Sequence, residues 1–157
     1  MNRRSTVLGL FAILLSGCAS VQPQNVAQVI SSDPNLSTLS KLISDSGLTE
    51  ALSGPGPFTV FAPTNDAFKA VPAKAMSELA SNKDRLKQVL TYHVVPVKAG
   101  SSDVKPGNVK TVNGANVALA RTANFVTVEE ALVTVADKTA TNGVVHVIDR
   151  VLLPPAK

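Results

Sequence analysis

Gly56-Pro57-Phe58-Thr59-Val60-Phe61-Ala62-Pro63-Thr64-Asn65-Asp66-Ala67-Phe68 is the stretch whose reading decides the fold. Phe58, Val60 and Ala62 alternate with Thr59 and Phe61, the period of an extended strand. Phe61 makes the second face apolar too, so the strand is expected to be buried on both sides. Pro63 has no amide to give a ladder and ends it. Thr64, Asn65 and Asp66 carry the short side-chain oxygens that cap helix amides, and Ala67, Phe68 and Ala70 continue as a short helix. The stretch holds no nucleophile, metal cluster or phosphate cradle. It is core architecture.

Upstream, the pattern is helical. Val26, Val29 and Ile30 share a face, and Asp33-Pro34 ends that turn. Leu36, Leu39, Leu42 and Ile43 recur at three- and four-residue spacing, with Gly47 as the stop and one further turn at Leu48 and Leu52. Ser53-Gly54-Pro55-Gly56-Pro57 is a loop into the strand. Downstream, Pro72 precedes a helix over Ala73 to Leu79. Asn82 is placed to cap a second over Lys83 to Tyr92, with Leu86, Val89 and Leu90 buried and Lys83, Asp84, Arg85 and Lys87 wet.

The second half reads as strands. His93-Val94-Val95 and Val97 are extended, and Val109–Val112 and Asn116–Ala120 flank Asn113-Gly114, a hairpin signal because both residues tolerate positive φ. Phe125–Val128 and Ala131–Val135 alternate. Asn142-Gly143 is a tight turn into a last strand, Val144 to Leu153, which is apolar on both faces and stopped by Pro154-Pro155. Glu129-Glu130 reads as a solvated turn. Helices followed by antiparallel hairpins give an α+β ordering with no internal repeat.

The chain of 157 residues is long enough for one domain with a proper core. Fifteen Lys and Arg against eleven Asp and Glu give +4. Loss of Arg3 and Arg4 with a cleaved leader would leave about +2, too dilute for a nucleic-acid footprint. Arg3-Arg4 followed by the apolar run Val7 to Leu15 has the form of a secretory signal and is far short of a membrane span. Leu15-Ser16-Gly17-Cys18 resembles the bacterial lipobox, which implies cleavage before Cys18 and acylation of that residue, anchoring the chain stably. Cys18 is the only cysteine, so no internal disulfide exists. The expected organisation is a signal peptide over 1–17, a linker over 18–24, a domain over 25–154 and a tail over 155–157. By the sorting rule of the proteobacterial lipoproteins it resembles, Ala19 after the cysteine favours the outer membrane. The expected address is that of a cell-membrane or outer-membrane lipoprotein, periplasmic or surface-facing, and the six-residue connection from Ala19 to Gln24 reaches at most about 20 Å.

The opening stretch resembles the first conserved box of the fasciclin (FAS1) domain. Asn142-Gly143-Val144-Val145-His146-Val147-Ile148-Asp149-Arg150-Val151-Leu152-Leu153-Pro154 is similar to the second box, and Tyr92-His93 to the motif between them. Phe58, Phe61, Pro63, Thr64, Asn65, Asp66 and Phe68, with Asn142, Gly143, His146, Ile148 and Asp149, carry the resemblance. It implies a compact β-sandwich or wedge of about seven mostly antiparallel strands, with helices before and between the boxes. It also implies an adhesive or protein-interaction role at the cell envelope, with an unidentified protein or glycan as partner. The alternative is a domain binding a small ligand or polysaccharide in a cleft between sandwich and helices, marked by a deep apolar pocket with convergent polar groups.

Enzymatic chemistry finds no constellation: there is no GxSxG, GxGxxG or HExxH, and no cofactor is expected. His93 and His146 are the only histidines, too few for a zinc site. They are expected to be structural imidazoles bonded to backbone or to a carboxylate, with Asp66 or Asp149 as candidates. Tyr92, His93, Val94 and Val95 form the candidate contact site, because the resemblance associates the Tyr-His motif with adhesion.

Overall fold

Asn25 starts the fold. Its side chain accepts from the Gln28 amide at 2.9 Å while Gln28 Oε1 accepts from the Asn25 amide at 3.0 Å, a reciprocal cap on α1 (Val26–Ser32). The computed structural model describes residues 23–154. The signal segment, Cys18 and the tail 155–157 lie outside these residues. A 3₁₀ turn (Pro34–Leu36) leads into α2 (Ser37–Ser46), which Gly47 closes at φ 74°, a left-handed position that costs glycine least. Then follow α3 (Thr49–Ser53), β1 (Phe58–Pro63), α4 (Asn65–Lys69), α5 (Ala73–Ser81) and α6 (Lys83–Tyr92). Thr64 caps α4 through the Ala67 amide, and Asn82 caps α6 through the Asp84 and Arg85 amides, as residues of these types do wherever helix donors lack partners.

The strands are β2 (Val94–Val95), β3 (Gly107–Lys110), β4 (Asn116–Arg121), β5 (Val126–Val128), β6 (Ala131–Ala140) and β7 (Gly143–Ile148). They form one seven-stranded sheet in the order β2-β1-β7-β6-β5-β4-β3. Every neighbouring pair is antiparallel except β1 and β7, which run parallel from Phe58 opposite Gly143 to Pro63 opposite Ile148. The two boxes are therefore adjacent central strands. The wedge arises at β6, which pairs with β5 only through Ala131 and Leu132. It then pairs with β7 across two register shifts, around Val135 and before Lys138. Such irregularities bend a sheet and increase its twist.

Both faces of the central pair are covered. Val60, Ala62, Val145 and Val147 pack under the helices with Ile30, Leu39 and Leu90. Phe61 and Ile148 face the opposite core, with Tyr92, Val117, Leu119 and Val128. This is the two-sided burial that the Phe58–Ala62 pattern predicts.

Four boundaries differ from the sequence reading. His93 is the C-terminal cap of α6 (φ −82°, ψ −4°) and not part of a strand. The β3–β4 hairpin closes early: the Gly114 amide donates to Thr111 O at 2.9 Å and only Gly114 has positive φ, while the Val112 and Asn113 amides turn away to Val94 O and Thr91 O. β6 continues through Ala140, because its irregularities interrupt the alternation that marks a strand without ending the pairing. β7 stops at Ile148: the Asp149 amide makes a last bond to Leu132 O of β6 before the chain turns off the sheet.

Candidate functional site

Chemistry-bearing residues converge where the two boxes meet, and the first question is which of their polar atoms remain free. Phe61 and His146 are register partners in the parallel pair, and their rings stack at 5.8 Å between centroids and 23° between planes. His146 Nε2 donates to Ala99 O at 2.8 Å, and its Nδ1 accepts from the Asp137 amide at 3.2 Å. His93 has the opposite tautomer: Nδ1 donates to Val89 O at 2.7 Å, and Nε2 accepts from the Leu152 amide at 3.0 Å. Each ring nitrogen is spent on backbone. Complete burial lowers the His93 pKa from 6.5 to about 4, because the imidazolium would lose its hydration. A neutral ring with both nitrogens engaged has neither a lone pair for a metal nor a proton to exchange. Among the described residues no three His, Cys, Asp or Glu side chains form a metal-holding group.

The carboxylates do other work than the sequence suggests. Neither Asp66 nor Asp149 meets a histidine. Asp66 pairs with exposed Lys69 at 2.8 Å, and Asp149 Oδ1 accepts from the Leu132 amide at 2.8 Å, docking the end of β7 on β6. Asp137 sits at φ 58° in the β6 irregularity, and its two oxygens accept from the hydroxyl and the amide of Ser101. The Ser101 hydroxyl, and then its amide, hold this carboxyl below the ordinary Asp range. With the His146–Ala99 bond, this pins the Ala99–Ser101 loop to the centre of the sheet. Glu129 and Glu130 form an exposed turn, as expected, but Glu129 also bonds to β4. At φ 54° its amide donates to Ala118 O at 2.7 Å and its Oε1 accepts from Ala118 N at 2.8 Å, continuing the β4–β5 pairing by one residue. Nothing local marks it, since Glu rarely adopts positive φ.

Asn65 and Asn142, one from each box, are clamps. Asn65 Oδ1 accepts from the Thr38 amide at 2.9 Å and Nδ2 donates to Pro34 O at 3.0 Å, tying α4 to the start of α2. Asn142 Oδ1 accepts from the Val26 amide at 2.8 Å, and Nδ2 donates to Leu52 O and Gly54 O, both at 2.8 Å. One side chain thus joins α1, α3 and the loop into β1. Next to it, a Cβ on Gly143 would stand 2.0 Å from Phe58 O, and one on Gly56 1.9 Å from Asn142 O. Both positions need glycine for close approach.

The contact candidates Tyr92, His93, Val94 and Val95 are 3%, 2%, 5% and 2% exposed. The Tyr92 hydroxyl donates to Asn116 O at 3.2 Å, and its pKa is raised by burial and then by neighbouring Glu129. As folded, the quartet offers a partner almost no side-chain area. The exposed large apolar side chains are elsewhere: Val97, Val112, Phe125, Val135 and Leu153. Phe125, more than half exposed, borders an open recess of about 280 Å³ with Arg121, Val133 and Thr134, and Arg121 Nη1 donates to Ser102 O at 2.8 Å. A second recess of about 260 Å³ opens between α2, α3, α6 and the β1–β2 edge. It is the expected cleft between helices and sheet, but its walls are hydrocarbon, without the convergent polar groups a sugar needs.

Comparison with known proteins accords with this architecture. The fasciclin domain pattern matches residues 34–154. Protein sll1483 of Synechocystis is 43% identical over 144 residues, covering 90% of this chain and 80% of that protein. The cell surface glycolipoprotein MPB83 of Mycobacterium bovis is 34% identical over 160 residues, covering 90% of this chain and 72% of that protein. In structure, the FAS1 domain pair of the insect cell adhesion molecule fasciclin I superposes with a TM-score of 0.64 at 23% identity, over 75% of this chain and 45% of that one.

Proposed function

Because this chain belongs to the fasciclin domain family, we propose that it works as a lipid-anchored interaction module of the cell envelope, held by Cys18 and engaging a protein or glycan through its exposed surface. The observation that carries the reading is the match to the family over residues 34–154. It is supported by a relative that is a cell surface glycolipoprotein, and by a structural neighbour from a cell adhesion molecule. The lipobox-like Leu15-Ser16-Gly17-Cys18 supports the anchor. No helix among the described residues is long and apolar enough to cross a membrane.

The reading includes no catalytic step, since His93 and His146 are bonded to backbone at both nitrogens. Contact falls to exposed apolar side chains such as Phe125 and Val135, and not to the Tyr92–Val95 quartet. Isolated apolar groups are ordinary on a surface; Phe125, the most exposed of them, borders a recess that also holds the Arg121 guanidinium.

Two measurements test it. A Cys18→Ser chain should lose labelling by a fatty-acid analogue and leave the membrane fraction, and persistence of both sinks the anchor. Residues 19–157, used as bait against envelope fractions and glycans, should retain a partner that Phe125→Asp releases. A deletion strain with unchanged attachment and aggregation would count against the adhesive role.

A further inference from the structure

The recess between the helices and the β1–β2 edge has the build of a ligand site. Its floor is formed by Leu39 and Ile43 of α2, Leu52 of α3, Leu90 of α6, Val60 of β1 and Val94 of β2, all buried. Its mouth lies between Ala51, exposed on α3, and Val112, 48% exposed on the β3–β4 loop. Two polar side chains reach the wall, and neither has a proton left to donate. The Thr91 hydroxyl donates to Lys87 O at 2.7 Å, and the His93 nitrogens are bonded to Val89 and Leu152. No buried side-chain nitrogen or oxygen among the described residues lacks a partner. The walls expose almost no polar surface, so a ligand buried here gains little by carrying a polar group inward, whereas the open mouth leaves a polar end in water. That combination selects an amphiphile.

Size narrows the class further. A hydrocarbon-lined cavity of about 150 Å³ holds benzene, so the 260 Å³ here accommodates about ten carbons. Water has little to hold it there, because ordered water needs two or more polar partners. We infer that this cleft binds the aliphatic end of an amphiphile, about ten carbons deep, with the polar end left at the Ala51–Val112 mouth. The inference does not depend on the Cys18 anchor or on the adhesive role.

The test is a chain-length series. Residues 19–157, which contain every described element, are titrated with n-alkanols from pentanol to dodecanol while protein methyl resonances are followed by NMR. Each added methylene should tighten binding about fourfold, and the gain should stop near ten carbons. Shifts should concentrate on Leu39, Ile43, Leu52, Val60, Leu90, Val94 and Val112. Ala51→Phe, which fills the mouth from an exposed helix position, should weaken decanol at least about tenfold without lowering the thermal midpoint. If that variant is destabilised, Val112→Asp serves in its place by putting a charge beside the entering chain. Absence of saturable shifts, affinity that climbs through dodecanol without a break, or decanol binding indifferent to the folded mouth variant overturns the inference. Lipid co-purifying after incubation with phosphatidylcholine vesicles would identify a bilayer lipid as the source of the chain. Decanol binding without lipid uptake would identify a free amphiphile.

Discussion

Acidification should destabilise this fold through one residue. His93 is buried, neutral and bonded at both nitrogens, with a pKa of about 4 against 6.5 for an unperturbed imidazole. The unfolded chain therefore binds a proton between those values that the folded chain refuses, and stability rises with pH through that window. Above pH 6.5 the contribution is complete. It is lost as pH falls, by about 2 kcal/mol from pH 7 to pH 5 and by about 3 kcal/mol at its full extent. Asp33 and Asp137 also have lowered pKa values, Asp33 chiefly through its hydrogen bond from Lys138. Their contributions are present above pH 3.8 and disappear below it, outside the His93 window. For a domain of this size the loss to pH 5 corresponds to a fall of about 6–10 °C in Tm. The assay is thermal unfolding by circular dichroism at pH 7, 6 and 5, on the wild type and on His93→Gln. The glutamine variant should start lower, because its shorter amide spans Val89 O and Leu152 N poorly, but its Tm should change much less over the same range. A flat wild-type profile, or an equal fall in His93→Gln, refutes the argument.

Other consequences follow from the clamps and the close contacts. Asn142→Ala strands the Val26 amide and the Leu52 and Gly54 carbonyls, and should cost about 3 kcal/mol in urea unfolding. Gly143→Ala places a methyl against the Phe58 backbone in the centre of the sheet, and should abolish soluble expression or lower Tm by at least about 10 °C. Tyr92→Phe removes the hydroxyl that reaches Asn116 O and Glu129 Oε1, and should cost about 1 kcal/mol while leaving partner capture in the bait assay unchanged. A loss of capture by folded Tyr92→Phe would restore the Tyr-His motif as a contact element.

Local signals were legible in the sequence, whereas long-range pairings and departures from ideal geometry were not. The alternation from Phe58 to Ala62, the stop at Gly47 and the caps at Thr64 and Asn82 each state a backbone geometry in a few residues, and the structure has them. The parallel register of β1 on β7 has no such signature, because each strand is apolar on both faces and either edge would accept a neighbour. Irregularities hid the true length of β6. Val135 and Asp137 break its period of two, and the positive φ of Asp137 is recovered only through Ser101 and His146. The histidines fell between these cases. Their apolar neighbours pointed to burial, but the partners proved to be main-chain groups from Val89, Ala99, Asp137 and Leu152, which side-chain type cannot identify. The Tyr92–Val95 quartet was conspicuous as a motif, yet burial turned each of its side chains inward.

The pairing of β1 with β7 also fixes when the molecule can become itself. Phe58 meets Gly143, so the central ladder closes a loop that takes in most of the domain. Contacts this distant along the chain slow folding, because closure entropy is lost before any ladder bond is gained. On a ribosome, the helices and the first box would emerge with one flank of β1 still lacking its neighbour. Completion waits for the final stretch of the domain. A chain assembled in this order cannot close its core until nearly the whole domain has been made.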